Sequence, residues 1–392
     1  MSAILITGGT GFLGSYVLAD LLSRPDGPRL ALLTRARRRE EAIDKLWAAM
    51  QLHFDAERFA KALERVDFVP GDLTAPGLAL DAQARMKLTR EVGSVLHIAA
   101  SLNRKSAKAC FNANLRGTLS VLQLAREIAD GPNGLSRFSF VSTTAIAGIR
   151  EHECVKEDEA REWARSDYDP YARTKKFAEH MVEELLPGTS TLILRPSTVM
   201  GDSRFAPTTQ FDMVRAFCFF MDLPAVPIHA RTRQDIVPAD FVGRAIATLH
   251  TKPKPAHRIY HLSAGARSAS AAEIAKAMLA RTGRRAPRFL SPMQRPFAAA
   301  VDALASGPRG KLSLMASLLK VFLPYVTNDV VFDNERVVAE LGERPAPFTD
   351  YCGPLYEWAK RARFTYPVEP LPERLRRALV EARPEEPARI EA

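Results

Sequence analysis

Cysteine is scarce in this 392-residue chain: Cys110, Cys154, Cys218 and Cys352 are the only four, far apart and without a C-x-x-C pair. That leaves no disulfide framework and no cysteine metal site, and it fits a reducing compartment. Long apolar runs are missing too, and no stretch approaches the roughly 18 consecutive apolar residues of a membrane-spanning helix. The opening "MSAILITGG" runs straight into a strand pattern, with no charged leader and no cleavage site, so the expected location is cytoplasmic. No helix-turn-helix, zinc-finger or RNA-binding motif accompanies the formal charge of +10, so nucleic acid is not an expected partner. The excess of base suits an acidic or phosphorylated ligand, or simply a solvated surface. No internal repeat is present. What remains is an ordinary globular composition, 46% hydrophobic and 26% charged, on a chain long enough for two domains.

Short apolar runs alternate with helical patterns from the start. Strands are predicted at 3–7, 29–35, 66–71, 94–100, 137–143 and 191–197, and helices at 12–23, 39–65, 79–92, 111–129 and 170–186. Such alternation implies βαβ units and a parallel, doubly wound α/β sheet. Runs such as "LALL" and "LIL" fit a sheet covered on both faces. After residue 202 the pattern changes. Residues 203–235 read as irregular, 235–249 as a loop and helix, and 258–265 as a short strand. Ser270 and Glu273 have the spacing of a capping box. The expected division is a sheet domain over 1–202 and 235–265, a smaller, mainly helical substrate cap over 203–234 and 266–366, and a polar tail from 367 to 392.

"TGGTGFLG" (7–14) lies between the first strand and the first helix. Gly8, Gly11 and Gly14 permit a tight turn and close backbone approach, and the helix start offers free N–H groups to a pyrophosphate. With Thr10, Phe12 and Leu13 they form the expected dinucleotide cradle of a Rossmann domain. The second strand ends in "TRARRR" with no acid before Glu40. A carboxylate here would hold the ribose 2′-hydroxyl of NAD, whereas an arginine fork binds a 2′-phosphate. NADP(H) is therefore the predicted cofactor, with Arg35 its best contact, while some neighbouring arginines only solvate the next helix. Asp72 of "GDL" either reaches the adenine amino group, the reading favoured here, or caps the next turn; Leu73 follows it. In "HIAAS", Ala99, Ala100 and Ser101 are small enough for a ligand to lie across the sheet edge. His97 reads as a satisfied core histidine rather than a base. "VSTTA" places the hydroxyls of Ser142, Thr143 and Thr144 at the same edge, where they can bond a carbonyl oxygen gaining charge.

"DPYARTKKF" (169–177) starts a helix with Asp169 as N-cap and Pro170 in the first turn. Tyr171, Lys175, Ala178, Val182 and Leu185 fall on one stripe, which faces the core. A lysine there is costly unless used, and its charge would lower the pKa of the tyrosine above it. Tyr171 is then a candidate proton donor and acceptor. The plainer alternative is a snorkelling lysine beside a packing tyrosine.

Taken together, "TGGTGFLG", "GDL", "HIAAS", "NLRGT", "VSTTA" and "YARTK" resemble the extended short-chain dehydrogenase/reductases over residues 3–265. "HIAASLNRKSAKACFNANLRGTLSVL" and "LRPSTVMGDSR" are most similar to the fatty acyl-CoA reductase and thioester reductase branch, and 332–364 is similar more loosely. The resemblance implies a catalytic set of Thr143, Tyr171 and Lys175, with Asn114 at the family's asparagine position. It also implies nicotinamide contacts from Pro196, Thr198 and Val199. The implied reaction is NADPH-dependent reduction of an acyl thioester, on coenzyme A or a carrier protein, to aldehyde or alcohol. On the same scaffold, a nucleotide-sugar epimerase or dehydratase and a hydroxysteroid-type dehydrogenase would share these residues. A non-catalytic NADP sensor would not need the Tyr-Lys pair. "KLSLMASLLKVFLPYV" (311–326) is read as cap packing, with an acyl tunnel or peripheral membrane contact as alternatives.

Overall fold

The structure, a computed structural model, describes residues 2–308 and 310–382; within the 311–327 helix, the side chains of 311, 312, 314, 315, 318, 321 and 322 also lie outside the described residues. Seven strands make one parallel sheet: β1 Ala3–Thr7, β2 Leu30–Thr34, β3 Val66–Pro70, β4 Val92–His97, β5 Arg137–Val141, β6 Thr191–Pro196 and β7 Ile259–Leu262. Their order is β7-β6-β5-β4-β1-β2-β3. Winding reverses between β1 and β4, and Thr7 lies opposite both Leu33 and His97, so the carboxyl ends align around one crevice. Ligands of open α/β sheets bind at such a switch point. Every residue of β1, β2, β5 and β6 is buried, as expected of strands covered on both faces.

The two largest apolar cores are distinct. One lies around the sheet and includes Leu32, Leu96, Phe241 and Tyr260. The other joins helices Asp212–Asp222, Ala271–Leu279 and Phe348–Arg361. The Ser270–Glu273 capping box opens the second of these helices.

Several segments depart from the sequence reading. The single helix expected over 39–65 breaks into Arg39–Met50 and Ala56–Ala62, where Asp55 accepts from the backbone of Arg58 and starts a new helix. Phe54 and Phe59 flank the break in one core, so the apolar pattern runs through it unmarked. The segment 203–235, expected to be irregular, contains the helix Asp212–Asp222, with Val214, Phe217, Cys218 and Met221 buried. Their spacing is helical, but no capping side chain marks the start, where Phe211 stands at the N-cap. The region assigned to the cap is not all one body: helix Glu335–Leu341 returns Val337 to the sheet core. The described part of the polar tail is docked on the sheet half. Leu371 is buried in the sheet core, and helix Glu373–Glu381 brings Arg376 to Asp44 at 2.8 Å. Residues 383–392 of the expected tail lie outside the described residues.

Candidate active site

The turn after β1 is built by glycine. Gly8 has φ +79°, and a Cβ on Gly14 would stand 2.1 Å from the Gly8 carbonyl oxygen. A Cβ on Gly8 would meet the Ala99 backbone at 2.6 Å, so the β1 and β4 loops touch backbone to backbone. The helix Phe12–Ser23 that follows has no side-chain cap, which leaves its first N–H groups and the positive end of its dipole for a ligand. Gly8 and Thr10 to Gly14 line a cleft of about 1010 Å³ that runs along the carboxyl edge of the sheet. All the positions expected to hold the cofactor line it: Gly8, Thr10, Gly11, Phe12, Leu13 and Gly14, then Arg35, Asp72, Leu73, Ala99, Ala100 and Ser101, then Ser142, Tyr171, Lys175, Pro196, Thr198 and Val199. Among the arginines after β2, only Arg35 does so. Arg38 turns to Glu40 at 3.7 Å, and Arg39 to the Leu379 carbonyl at 3.1 Å. Asp72 caps the turn to Thr74, with Oδ1 accepting from its backbone and hydroxyl at 2.8 Å, which holds the carboxyl below its ordinary range.

At the other end of the cleft the helix Pro170–Leu185 presents Tyr171 and Lys175. Asp169 caps it, accepting from Ala172 N at 2.8 Å. Lys175 does not snorkel. It is 1% exposed, donates to the Val141 carbonyl at 2.7 Å and sits 4.4 Å over the Phe140 ring. Burial pushes its pKa down to about 7. Thr143 lines the same stretch of the cleft, and its hydroxyl favours the ionised form of the Tyr171 phenol. Ser142 Oγ lies beside them, buried and without a hydrogen-bond partner. The electrostatics of Tyr171 differ from expectation. Burial pushes the phenol above its ordinary range, and the opposing cation is Arg104 rather than Lys175.

Arg104, on the loop after β4, stacks 4.8 Å over the Tyr171 ring and pairs with Asp169 at 3.0 Å. From the cap, Tyr325 accepts from the same guanidinium and donates to Asp169 at 3.3 Å. Sequence reasoning missed both residues. Arg104 carries one signal, a cation just past a strand end at the ligand edge, whereas Tyr325 carries none. Asn114, the asparagine that the resemblance implies, lies just behind the cleft lining. It is 1% exposed and spent on structure: Oδ1 accepts from Ser101 N at 2.6 Å, and Nδ2 donates to the Ser101 carbonyl and to Thr174. It fixes the cleft wall from behind. His97 is a core histidine, bonded to Thr7 at 2.6 Å and Thr118 at 3.0 Å, with its pKa pushed down to about 3 by burial.

The family model described as male sterility protein, an NAD-binding family, matches residues 6–246. The chain belongs to this family. Its fold is that of the extended short-chain dehydrogenase/reductases, and the family makes it an oxidoreductase that binds a nicotinamide dinucleotide. The chain is 27% identical over 270 residues to the nonribosomal peptide synthetase asaC of Aspergillus flavus, across 66% of its own length and 26% of that protein. It is 26% identical over 286 residues to the carboxylic acid reductase of Mycobacterium marinum, across 66% of its length and 24% of that protein. The chain thus spans about a quarter of the length of these curated relatives. Among solved structures, the terminal R domain from the myxalamid PKS-NRPS biosynthetic pathway has a TM-score of 0.78 at 25% identity, with 94% of this chain and 93% of that chain covered. The match spans the glycine turn, Arg104 and the Tyr171 helix, and Tyr325 lies beyond it.

Proposed function

We propose that this chain reduces an acyl thioester, carried on coenzyme A or a carrier protein, with NADPH. One observation carries the reading. Thr143, Tyr171 and the buried Lys175 line the same cleft as the glycine turn and Arg35. The residues present fit the dinucleotide: the Gly8–Gly14 cradle leaves no room for a Cβ, the helix after it is uncapped, and Ser142 Oγ has no partner. Arg35 is exposed at the cleft wall, where a 2′-phosphate would find a planar fork, and this favours NADP(H) over NAD(H).

When bound, NADPH supplies the hydride that adds to the thioester carbonyl carbon. Thr143 and Tyr171 donate hydrogen bonds to the carbonyl oxygen as it gains negative charge. Tyr171 then gives it a proton. Arg104, stacked over the ring, favours the phenolate left behind, while Val141 and Phe140 hold the Lys175 ammonium in the cleft wall. Breaking the carbon–sulfur bond of the resulting hemithioacetal releases an aldehyde and a thiol, and a second round gives the alcohol. The names of the relatives support the substrate class, since a peptide synthetase and a carboxylic acid reductase share this segment.

The test follows loss of NADPH absorbance with a panel of acyl-CoA and carrier-bound thioesters, with NADH and Tyr171→Phe as controls. Thioester-dependent oxidation that Tyr171→Phe lowers by about 10²–10⁴ is the expected result. Turnover confined to a ketone or a nucleotide sugar would overturn the substrate class.

A further inference from the structure

Between Glu91 and Glu127 the chain has no acidic residue, while Arg104, Lys105, Lys108, Arg116 and Arg126 lie in that stretch. Part of it forms the rim of the cleft: Leu102, Arg104, Ala109 and Asn112 line the cavity. Just outside, helix Ala107–Cys110 runs into the wider π turn Phe111–Arg116 and then into helix Gly117–Ala129. The wider turn sets Arg116 above Phe111, so Lys108, Phe111, Arg116 and Leu119 fall on one face. All four are exposed. Leu102 is 53% and Phe111 48% exposed, which is much apolar surface for a cleft mouth. Lys108, Arg116 and Arg126 have no acidic partner among the described residues. Among the described residues, ion pairing in this stretch is confined to Arg104 with Asp169, and Lys105 bonds a neutral partner, Ser317. The same loop carries Arg104 to the Tyr171 ring, so whatever covers the rim stands directly over the reacting end of the cleft.

We propose that this face docks an acidic carrier protein, whose acyl-bearing arm enters the cleft past Leu102. The inference rests on the thioester reading above and names the partner that presents the thioester. Apolar side chains set among unpaired cations match a small negatively charged helical domain, in which complementary charge steers the encounter and a few apolar contacts hold it. Continuity with the cleft separates it from other basic patches, because the rim residue Arg104 and the reacting residue Tyr171 line one cavity.

The test uses the intact chain and one acyl group, octanoyl, presented on an isolated acyl carrier protein and on N-acetylcysteamine, which has neither phosphate nor protein. Lys108 and Arg116 lie outside the cleft lining. Reversing both, Lys108→Glu with Arg116→Glu, is expected to raise KM for the carrier-bound substrate about tenfold while leaving kcat unchanged. Turnover of the N-acetylcysteamine thioester should not change. The milder pair Lys108→Ala and Arg116→Ala guards against misfolding and should shift KM in the same direction by less. Added salt should weaken the wild type towards the variant. Equal losses on both substrates, or none on either, would overturn the proposal. So would loss of binding to anionic phospholipid vesicles with carrier kinetics unchanged, which would assign the face to lipid. If the wild type reduces neither thioester, the reductase reading fails separately. Calorimetric titration with the octanoyl carrier then decides the docking face: binding abolished by the reversal upholds it, and no binding or unchanged binding overturns it.

Discussion

Tyr171 lies among groups that pull its proton in opposite directions. Burial, Asp169 and Cys110 favour the phenol, whereas Arg104 and the Thr143 hydroxyl favour the phenolate. Replacing Arg104 with leucine removes the only cation in that set. The phenol pKa then rises, so the basic limb of the pH–kcat/KM profile is expected to move to higher pH, with the rate at neutral pH falling on the order of tenfold. A merely structural role would lower the rate and leave the limb in place. Lys175 makes a separate statement about stability. Its folded pKa of about 7 lies below the roughly 10.4 of an unfolded lysine, so between these values the unfolded chain binds more protons and stability rises with pH. Below about pH 7 the full cost of burying the ammonium is present. The melting temperature of cofactor-free Lys175→Met, relative to wild type, should therefore be most favourable at low pH and decline as pH rises above about 7; a flat difference would sink the assignment. At the other end of the cleft, Arg35→Ala should weaken NADPH by about 10- to 100-fold, as loss of a charged fork does, and leave NADH unchanged by fluorescence titration.

At the scale of elements, the glycine turn is the strictest piece. Gly14→Ala would drive a methyl into the Gly8 carbonyl, a backbone atom that cannot rotate away. Dinucleotide affinity should fall by about a hundredfold and the fold lose about 1–3 kcal/mol, read by titration and urea unfolding. This turn, the strands and the Tyr171 helix were all legible, each for a physical reason. A parallel strand buried on both faces is a continuous apolar run, a glycine turn shows its spacing, and an N-cap followed by proline marks a helix start. Elements lacking such punctuation were not legible. The break after Met50 lies inside an unbroken apolar pattern, and the helix Asp212–Asp222 starts at Phe211 with no capping side chain. Asn114 shows a different limit. Its position matched the family pattern, but what its amide bonds is set by the Ser101 backbone and Thr174, which only the folded chain brings together.

At the scale of the whole molecule, the illegible parts are the long returns of the chain. Tyr325 reaches Arg104 across 221 residues, a contact that no local pattern encodes. The last described segment makes a similar return to the sheet half. Its polar composition reads as a free tail, yet Leu371 is 5% exposed, Trp47 donates its indole N–H to the Glu369 carbonyl at 2.8 Å, and Arg376 pairs with Glu40 and Asp44. The charged side chains that make the segment look unstructured are the ones that dock it, while a single leucine supplies the apolar anchor. Ion pairs this exposed contribute little individually, about 0–1 kcal/mol each. Burial of Leu371, together with the cover over Trp47, is worth more, about 2–3 kcal/mol. Ending the chain at Tyr366 should therefore lower stability to urea by about 2–4 kcal/mol. None of the described residues that are removed lines the cleft, so kcat and the KM for NADPH should stay at wild-type values well below the new melting point. Unchanged unfolding in the shortened chain would show that the docked tail adds nothing. A fall in kcat at temperatures where the protein remains folded would instead mean that the Arg39–Met50 helix carries the tail's influence from its outer face to Arg35.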